Sequence, residues 1–226
     1  MTARPDESPA GGPQAPLPLV HRDDAFLVLD KPSGLLSVPG RGPDKADCLA
    51  ARVQRVFPEA RVVHRLDMAT SGLIVMALGL EAQRRLNQAF AERQVHKQYL
   101  AVVDGVPDAA DAGGWQVIDR PIALDWPRRP LHVIDAERGK PSVTRWRRLD
   151  AGTGADARLL LEPVTGRSHQ LRVHLQAIGH PILGDALYGD ARVRARAPRL
   201  LLHACRLTLP HPSGGPPHTF ESAAPF

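Results

Sequence analysis

Residues Val62 to Val75 read VVHRLDMATSGLIV. Val62 and Val63 lead in as a strand, Leu73 to Met76 lead out as another, and Thr70-Ser71-Gly72 is the polar turn between them. The stretch therefore sets one carboxylate, Asp67, at a bend between apolar runs, with Arg65 two residues before it. A carboxylate in that position either caps a turn or is a reagent aimed out of it. The rest of the chain has to decide.

Working outward, Ala25 to Leu29 is predicted to be a strand that ends in the turn Lys31-Pro32-Ser33-Gly34, and Leu35 to Val38 extend again. Asp47 is expected to be the N-cap of a helix from Cys48 to Val56. Downstream, Glu81 to Arg93 has helical spacing, with Leu86, Ala89 and Phe90 on one face, and Tyr99 to Val103 is a strand. Pro107 to Gly114 is a low-complexity loop, and Asp125-Trp126-Pro127-Arg128-Arg129-Pro130 is an exposed basic one. Val143 to Leu149 and Ala157 to Leu161 alternate as a hairpin around Gly152-Thr153-Gly154. A helix follows Arg167 as far as Ile178, capped by Ser168, and Leu200 to Leu209 is a last strand. Strands and helices in irregular order, without repeats, indicate the α+β class. Residues 1–18, rich in Pro, Gly and Ala, are expected to be a disordered lead-in to one domain over residues 19–226.

Composition narrows the function classes. A chain of 226 residues can bury a substantial core, as one large domain or two small ones. The net charge of +5 suits a polyanionic partner such as nucleic acid. A GC-rich coding sequence, which raises Arg, Ala, Pro and Gly together, would produce the same excess. Cys48 and Cys205 fit neither a zinc spacing nor a CxxC motif, so both are expected to be reduced thiols. No run approaches the roughly 20 apolar residues of a membrane span, and the first residues have no apolar signal region. A cytoplasmic protein without a membrane partner is expected.

Several tempting motifs fail. HRLD has a superficial likeness to a kinase catalytic loop, but GxGxxG, VAIK and DFG are missing. Gly40 to Lys45 departs from a Walker A loop. His169, His174, His180 and His203 form no HExxH, and His169 and His174 fall off one helical face, so no metal is expected. What remains is Asp67 and a set of arginines. Arg167 follows Gly166 at a strand-to-helix turn in PVTGRSHQLRVHL, where side chains point into clefts. Arg167 set against Asp67 would aim the carboxylate for chemistry, or would simply tie two loops together.

The motifs KPSGLLSVPG, HRLDMATSGL, KQYLA, TGRSHQLRVHL, GHPILGD and LLHA stand in this order between Leu19 and the C-terminus. The series resembles the RluA family of pseudouridine synthases. DMATSG, the DWPRRP loop and the short length resemble the dual-specificity members, which lack the N-terminal RNA-binding domain of most relatives. The resemblance implies an α+β pseudouridine synthase catalytic domain, with a long, mostly antiparallel mixed sheet flanked by helices and loops. It implies an isomerase that detaches uracil from ribose and reattaches it through carbon 5 of the base, with no cofactor. The implied partners are structured RNAs, a tRNA anticodon stem-loop and a 23S rRNA hairpin, with no obligate protein partner and a monomeric enzyme.

By the same resemblance Asp67 is the catalytic residue. It either attacks the anomeric carbon of the ribose or removes the neighbouring 2′ proton. Arg167 supplies the cation beside it. Tyr99 stacks on the flipped uracil and takes the carbon-5 proton late in the reaction. Leu171 packs against the base, and Arg65 fills the gap that the extruded base leaves in the stem. Lys31, Lys97, Arg128, Arg129 and Arg172 are expected to contact phosphates. His64 is expected to be a packing residue or at most an RNA contact, and Gly34, Gly72 and Gly166 to permit sharp turns near the cleft. Two rival readings stand beside this one. The first is a noncatalytic RNA-binding protein on the same scaffold. The second is a sugar-acting hydrolase, which would need a second carboxylate such as Asp185.

Overall fold

The turn falls at Asp67–Thr70, earlier than expected, and Ser71 and Gly72 already belong to the strand at the centre of the fold. The computed structural model describes residues 18–42, 45–108, 114–149 and 156–226. The expected lead-in up to residue 17, residues 109–113 of the low-complexity loop and the Gly152-Thr153-Gly154 turn lie outside the described residues. The chain begins with β1 (Leu19–Arg22), β2 (Phe26–Lys31), α1 (Leu49–Val56), β3 (Ala60–Val62), β4 (Ser71–Leu78) and α2 (Leu80–Ala91). It continues through β5 (His96–Asp104), β6 (Gln116–Asp119), β7 (Ile122–Leu124), β8 (His132–Ile134) and β9 (Val143–Arg148). β10 (Asp156–Pro163), α3 (Gln170–Ala177), α4 (Ala191–Ala195), β11 (Leu202–Leu209) and β12 (His218–Glu221) complete it.

A ten-stranded sheet runs in the order β1-β2-β4-β11-β5-β10-β9-β6, with β3 beside β4 and β12 beside β11. Its ladders are antiparallel apart from β4 with β11, where His203 lies opposite Ser71. The mixed, mostly antiparallel sheet is thus as the motifs implied. β7 and β8 form a separate two-stranded sheet, in a region whose sequence carries little periodicity.

β4 reads as one apolar run because both of its faces are covered. Ile74 and Met76 pack with Leu27 and Leu29 of β2, beneath Leu49 and Val53 of α1 and Leu171 and Leu175 of α3. Leu73, Val75 and Ala77 face the other way and pack with Phe26 and Val28, beneath Ala82, Leu86 and Ala89 of α2. The period-2 alternation of a strand sorts neighbours into two cores. Truncating Leu86 to Ala would open a cavity worth about 2–5 kcal/mol.

Gly72 explains how β11 slots in beside β4. Its φ is 111°, and a Cβ there would stand 2.4 Å from the carbonyl oxygen of Ala204. Only glycine lets the two backbones approach so closely. Ala204 in turn is opposite Tyr99 of β5, so the start of β4 and Tyr99 lie in lateral register across the sheet. Gly166, in contrast, has no positive φ, and its turn needs no glycine on that account.

Two helix starts differ from expectation. Cys48, not Asp47, caps α1, its Sγ accepting from the Ala51 amide at 3.3 Å. Asp47 is occupied by a two-bond fork from Arg52, at 2.8 and 2.6 Å. α3 begins after His169, which holds a left-handed conformation at φ 56°, rather than with Ser168 as its cap.

Candidate active site

Asp67 sits in the crossing from β3 to β4, where the Thr70 amide donates to the Asp67 carbonyl at 3.1 Å and closes a turn. The KPSGLLS segment holds this crossing by its backbone. Ser33 Oγ donates to the Ala69 carbonyl at 2.7 Å, and the Gly34 amide donates to that of Met68 at 2.8 Å. Ser37 Oγ donates to the Leu66 carbonyl at 2.7 Å and accepts from the Leu66 amide at 3.1 Å. Lys31 Nζ donates to the carbonyls of Leu35, Pro32 and Met68 at 2.7, 2.9 and 3.1 Å. These bonds grip the chain on both sides of Asp67 and leave its carboxylate, 28% exposed, turned to the cleft.

Lys31 therefore does not match its expected phosphate role. It is 0% exposed, and its ammonium hydrogens are matched to three carbonyls. Burial pulls its pKa down to about 7, and the Asp67 charge opposes that pull. Its sequence neighbourhood gave a basic residue before a turn, and only the fold puts it inside.

The opposite wall carries a second correction. The cation beside Asp67 is Arg172, whose Nη1 lies 3.4 Å from Asp67 Oδ2. Its Nε and Nη2 fork onto Asp185 at 2.8 and 2.6 Å, and Asp185 is 0% exposed. The fork fixes the guanidinium and leaves Nη1 to point at the carboxylate. Arg172, expected at a phosphate, is instead buried and engaged by two carboxylates in this arrangement. Arg167 stands at the rim, its Nε donating to the Pro141 carbonyl at 3.3 Å. Asp185, saturated by Arg172 and by the amides of Leu187 and Tyr188, is not free to be a second acid or base. Nothing local in the sequence separates Arg172 from Arg167, since both follow the same turn within five residues.

The two walls bound a cleft of about 1440 Å³, larger than the roughly 300–1,000 Å³ usual for small-molecule sites. Tyr99 and Leu171 line it and belong to the main core cluster. Burial raises the Tyr99 pKa, and the Asp67 charge adds to the effect. A phenol held neutral is suited to stacking and to donating a hydrogen bond, and less to taking a proton from carbon 5. His64 is a packing residue. Its Nε2 accepts from the Val75 amide at 3.0 Å, its ring stacks on Phe90 at 4.7 Å, and burial lowers its pKa to about 3. Lys97 also lines the cleft, with Nζ 5.7 Å from the Phe90 ring centroid.

Arg65 is exposed beside Asp67 on the cleft surface. In the Asp125–Pro130 loop, whose Pro130 lines the cleft, Arg128 pairs with Asp125 at 2.6 Å, and Arg129 lies 4.8 Å over the ring of Trp126, which is 66% exposed. Among the described residues no three His, Cys, Asp or Glu side chains gather to hold a metal ion. Among the described residues no helix is long and apolar enough to cross a membrane.

A family model described as RNA pseudouridylate synthase matches residues 25–177, a span that contains Asp67, Tyr99 and Arg172. The dual-specificity RNA pseudouridine synthase RluA of Escherichia coli is 49% identical over 215 residues, 95% of this chain and 96% of that protein. Its namesake in Yersinia pestis is 47% identical over 208 residues, 92% of this chain and 99% of the relative. Among solved structures, human RNA pseudouridylate synthase domain containing 1 matches with a TM-score of 0.76 at 32% identity, over 96% of this chain and 86% of that one. The chain belongs to the RluA family of RNA pseudouridine synthases, isomerases that convert uridine to pseudouridine in RNA.

Proposed function

We propose that this enzyme isomerises a uridine in a tRNA anticodon stem-loop and another in a 23S rRNA hairpin, with Asp67 acting on the ribose. One observation carries the reading: a carboxylate gripped by its own backbone, open to the cleft, with an arginine 3.4 Å away. The dual-specificity names of the relatives support two substrates. In the reaction the bond from ribose to the base nitrogen breaks, the base turns, carbon 5 bonds to the ribose, a proton leaves carbon 5 and the freed ring nitrogen takes one up, so that the product is an isomer. Asp67 serves either as nucleophile at the anomeric carbon or as base for the 2′ proton, and both require it close to the sugar.

Tyr99 stacks on the extruded uracil, at about 1–3 kcal/mol per base. Leu171 packs against the same base. Arg65 fills the vacated place in the stem, and its planar group offsets part of the flipping cost of a few kcal/mol. Lys97 and Arg167 at the cleft, and Arg128 and Arg129 on the loop that reaches it at Pro130, contact phosphates. In this reading residues 19–226 are one catalytic unit that works as a cytoplasmic monomer without a cofactor.

The test uses both stem-loops with tritium at carbon 5 of their uridines. Release of tritium to water from both RNAs supports dual specificity. Release from one alone restricts the substrate, and release from neither overturns the assignment of these targets.

A further inference from the structure

His169 holds a backbone conformation, φ 56° and ψ 13°, that residues with a side chain seldom keep unless their surroundings fix it. Its ring is fixed from behind. Tyr188 Oη accepts from the His132 amide at 2.9 Å, and it lies 2.7 Å from His169 Nδ1. A phenol has a single proton. Among the described residues the His132 amide is a donor to this oxygen and Nδ1 is the one acceptor within hydrogen-bond distance for the phenol proton, so that proton is assigned to Nδ1. Nδ1 is then an acceptor, and the imidazole hydrogen sits on Nε2. Burial keeps the ring neutral by lowering its pKa, with the nearby Asp67 charge opposing. Tyr188 is held in turn, with its amide bonded to Asp185 at 3.1 Å and its ring 5.1 Å beneath the Arg172 guanidinium.

Nε2 of His169 faces Asp67 Oδ1 at 3.9 Å, while Arg172 faces Oδ2 at 3.4 Å. The two oxygens of one carboxylate thus look at two different fixed donors. Active-site hydrogen bonds of this kind are commonly long without substrate and tighten with it. We propose that His169 is a positioning residue for Asp67: in the RNA-bound enzyme its Nε2–H donates to Oδ1 while Arg172 holds Oδ2. Tyr188 acts through His169 by choosing the tautomer that makes this donation possible. The proposal rests on the reading of Asp67 as the group that acts on the ribose.

The experiment measures single-turnover rate constants at saturating RNA, together with RNA Kd, for five proteins. They are the wild type, His169→Leu, His169→Gln, Tyr188→Phe and the double variant His169→Gln/Tyr188→Phe. His169→Leu is expected to slow the reaction about 10- to 100-fold, as for loss of a hydrogen bond to a charged group. Its Kd should stay within about twofold, since it touches no RNA in this account. His169→Gln, whose side-chain amide nitrogen takes the place of Nε2, restores most of the rate. Tyr188→Phe slows the wild-type background and has no effect in the glutamine background, because an amide has no tautomer to select.

Three outcomes overturn the proposal: full rate in His169→Leu, a rate loss matched by a loss of RNA affinity, or equal slowing by Tyr188→Phe in both backgrounds. Thermal melting checks the fold, and the glutamine and tyrosine variants carry the test if the leucine variant does not fold. Asp67→Asn is run alongside. Turnover by that variant overturns the role of Asp67 itself, whereas a dead Asp67→Asn beside a full-speed His169→Leu overturns only the role of His169.

Discussion

The two walls of the cleft hold the Asp67 segment by different physics. On one, Lys31, Ser33, Gly34 and Ser37 bond to the backbone of residues 66–69. On the other, a single buried fork between Arg172 and Asp185 presents one guanidinium nitrogen to Asp67. The first wall fixes where the chain runs, and its work is shared among several bonds. The second fixes what the carboxylate faces, and its work is concentrated in one pair. Damage should therefore be graded on the first wall and severe on the second.

The largest effect is expected from Arg172→Met. It leaves Asp185 as an uncompensated buried charge, at about 3–5 kcal/mol of stability, read from urea unfolding. Arg172→Met/Asp185→Asn, which removes the charge and keeps an oxygen for the Leu187 and Tyr188 amides, should recover most of that stability and still release no tritium. Activity in the double variant would make the fork a purely structural device and would break the contrast between the walls.

A pH response comes next, from Lys31. Unfolded, this lysine keeps its proton up to about 10.5, and folded it releases the proton near pH 7. Between those values the unfolded state binds more protons, so the Lys31 contribution to stability rises with pH and is lost as pH falls toward 7. The slope is at most about 1.4 kcal/mol per pH unit for one group. Urea midpoints between pH 7 and 9.5 should rise less steeply in Lys31→Met than in the wild type. Parallel curves would contradict the assignment.

Ser37→Ala probes the shared wall. It leaves the Leu66 amide and carbonyl without their hydroxyl partner, at about 1–3 kcal/mol. Because that carbonyl adjoins Asp67, turnover should fall while RNA affinity holds. The smallest effect on the fold belongs to the Asp125–Pro130 loop. Arg128→Ala should change stability by no more than about 0.5 kcal/mol. If Arg128 contacts a phosphate, the slope of log affinity against log salt drops by about one. An unchanged slope would remove Arg128 from the RNA contacts.

The same two walls differ in how far they can be read from sequence. Asp67 at a bend between apolar strands is a local pattern, and the sequence places it where the structure does. β4 is legible as well, because an apolar run bounded by turn residues has one period and one length to satisfy. The cation beside Asp67 was not legible in the same way. Arg167 and Arg172 lie five residues apart, and choosing between them requires knowing where α3 begins and that Asp185 arrives from beyond it. Lys31 fails for a related reason. Three carbonyls from Pro32, Leu35 and Met68 converge on its ammonium, and two of them flank the turn while the third comes from the Asp67 segment. The insertion of β11 between β4 and β5 is also beyond local pattern, since strand order depends on pairings more than a hundred residues apart. The caps differ for smaller reasons, with Arg52 drawing Asp47 away and Cys48 taking its place.

Asp67, held by one wall and faced by Arg172 from the other, is the residue proposed to perform the isomerisation. The most direct test of that role is single-turnover tritium release by Asp67→Asn at saturating RNA, on whichever stem-loop the wild type accepts. The account predicts no release above background, with RNA affinity within about twofold of the wild type and an unchanged melting transition. Turnover above a trace in that variant would contradict it.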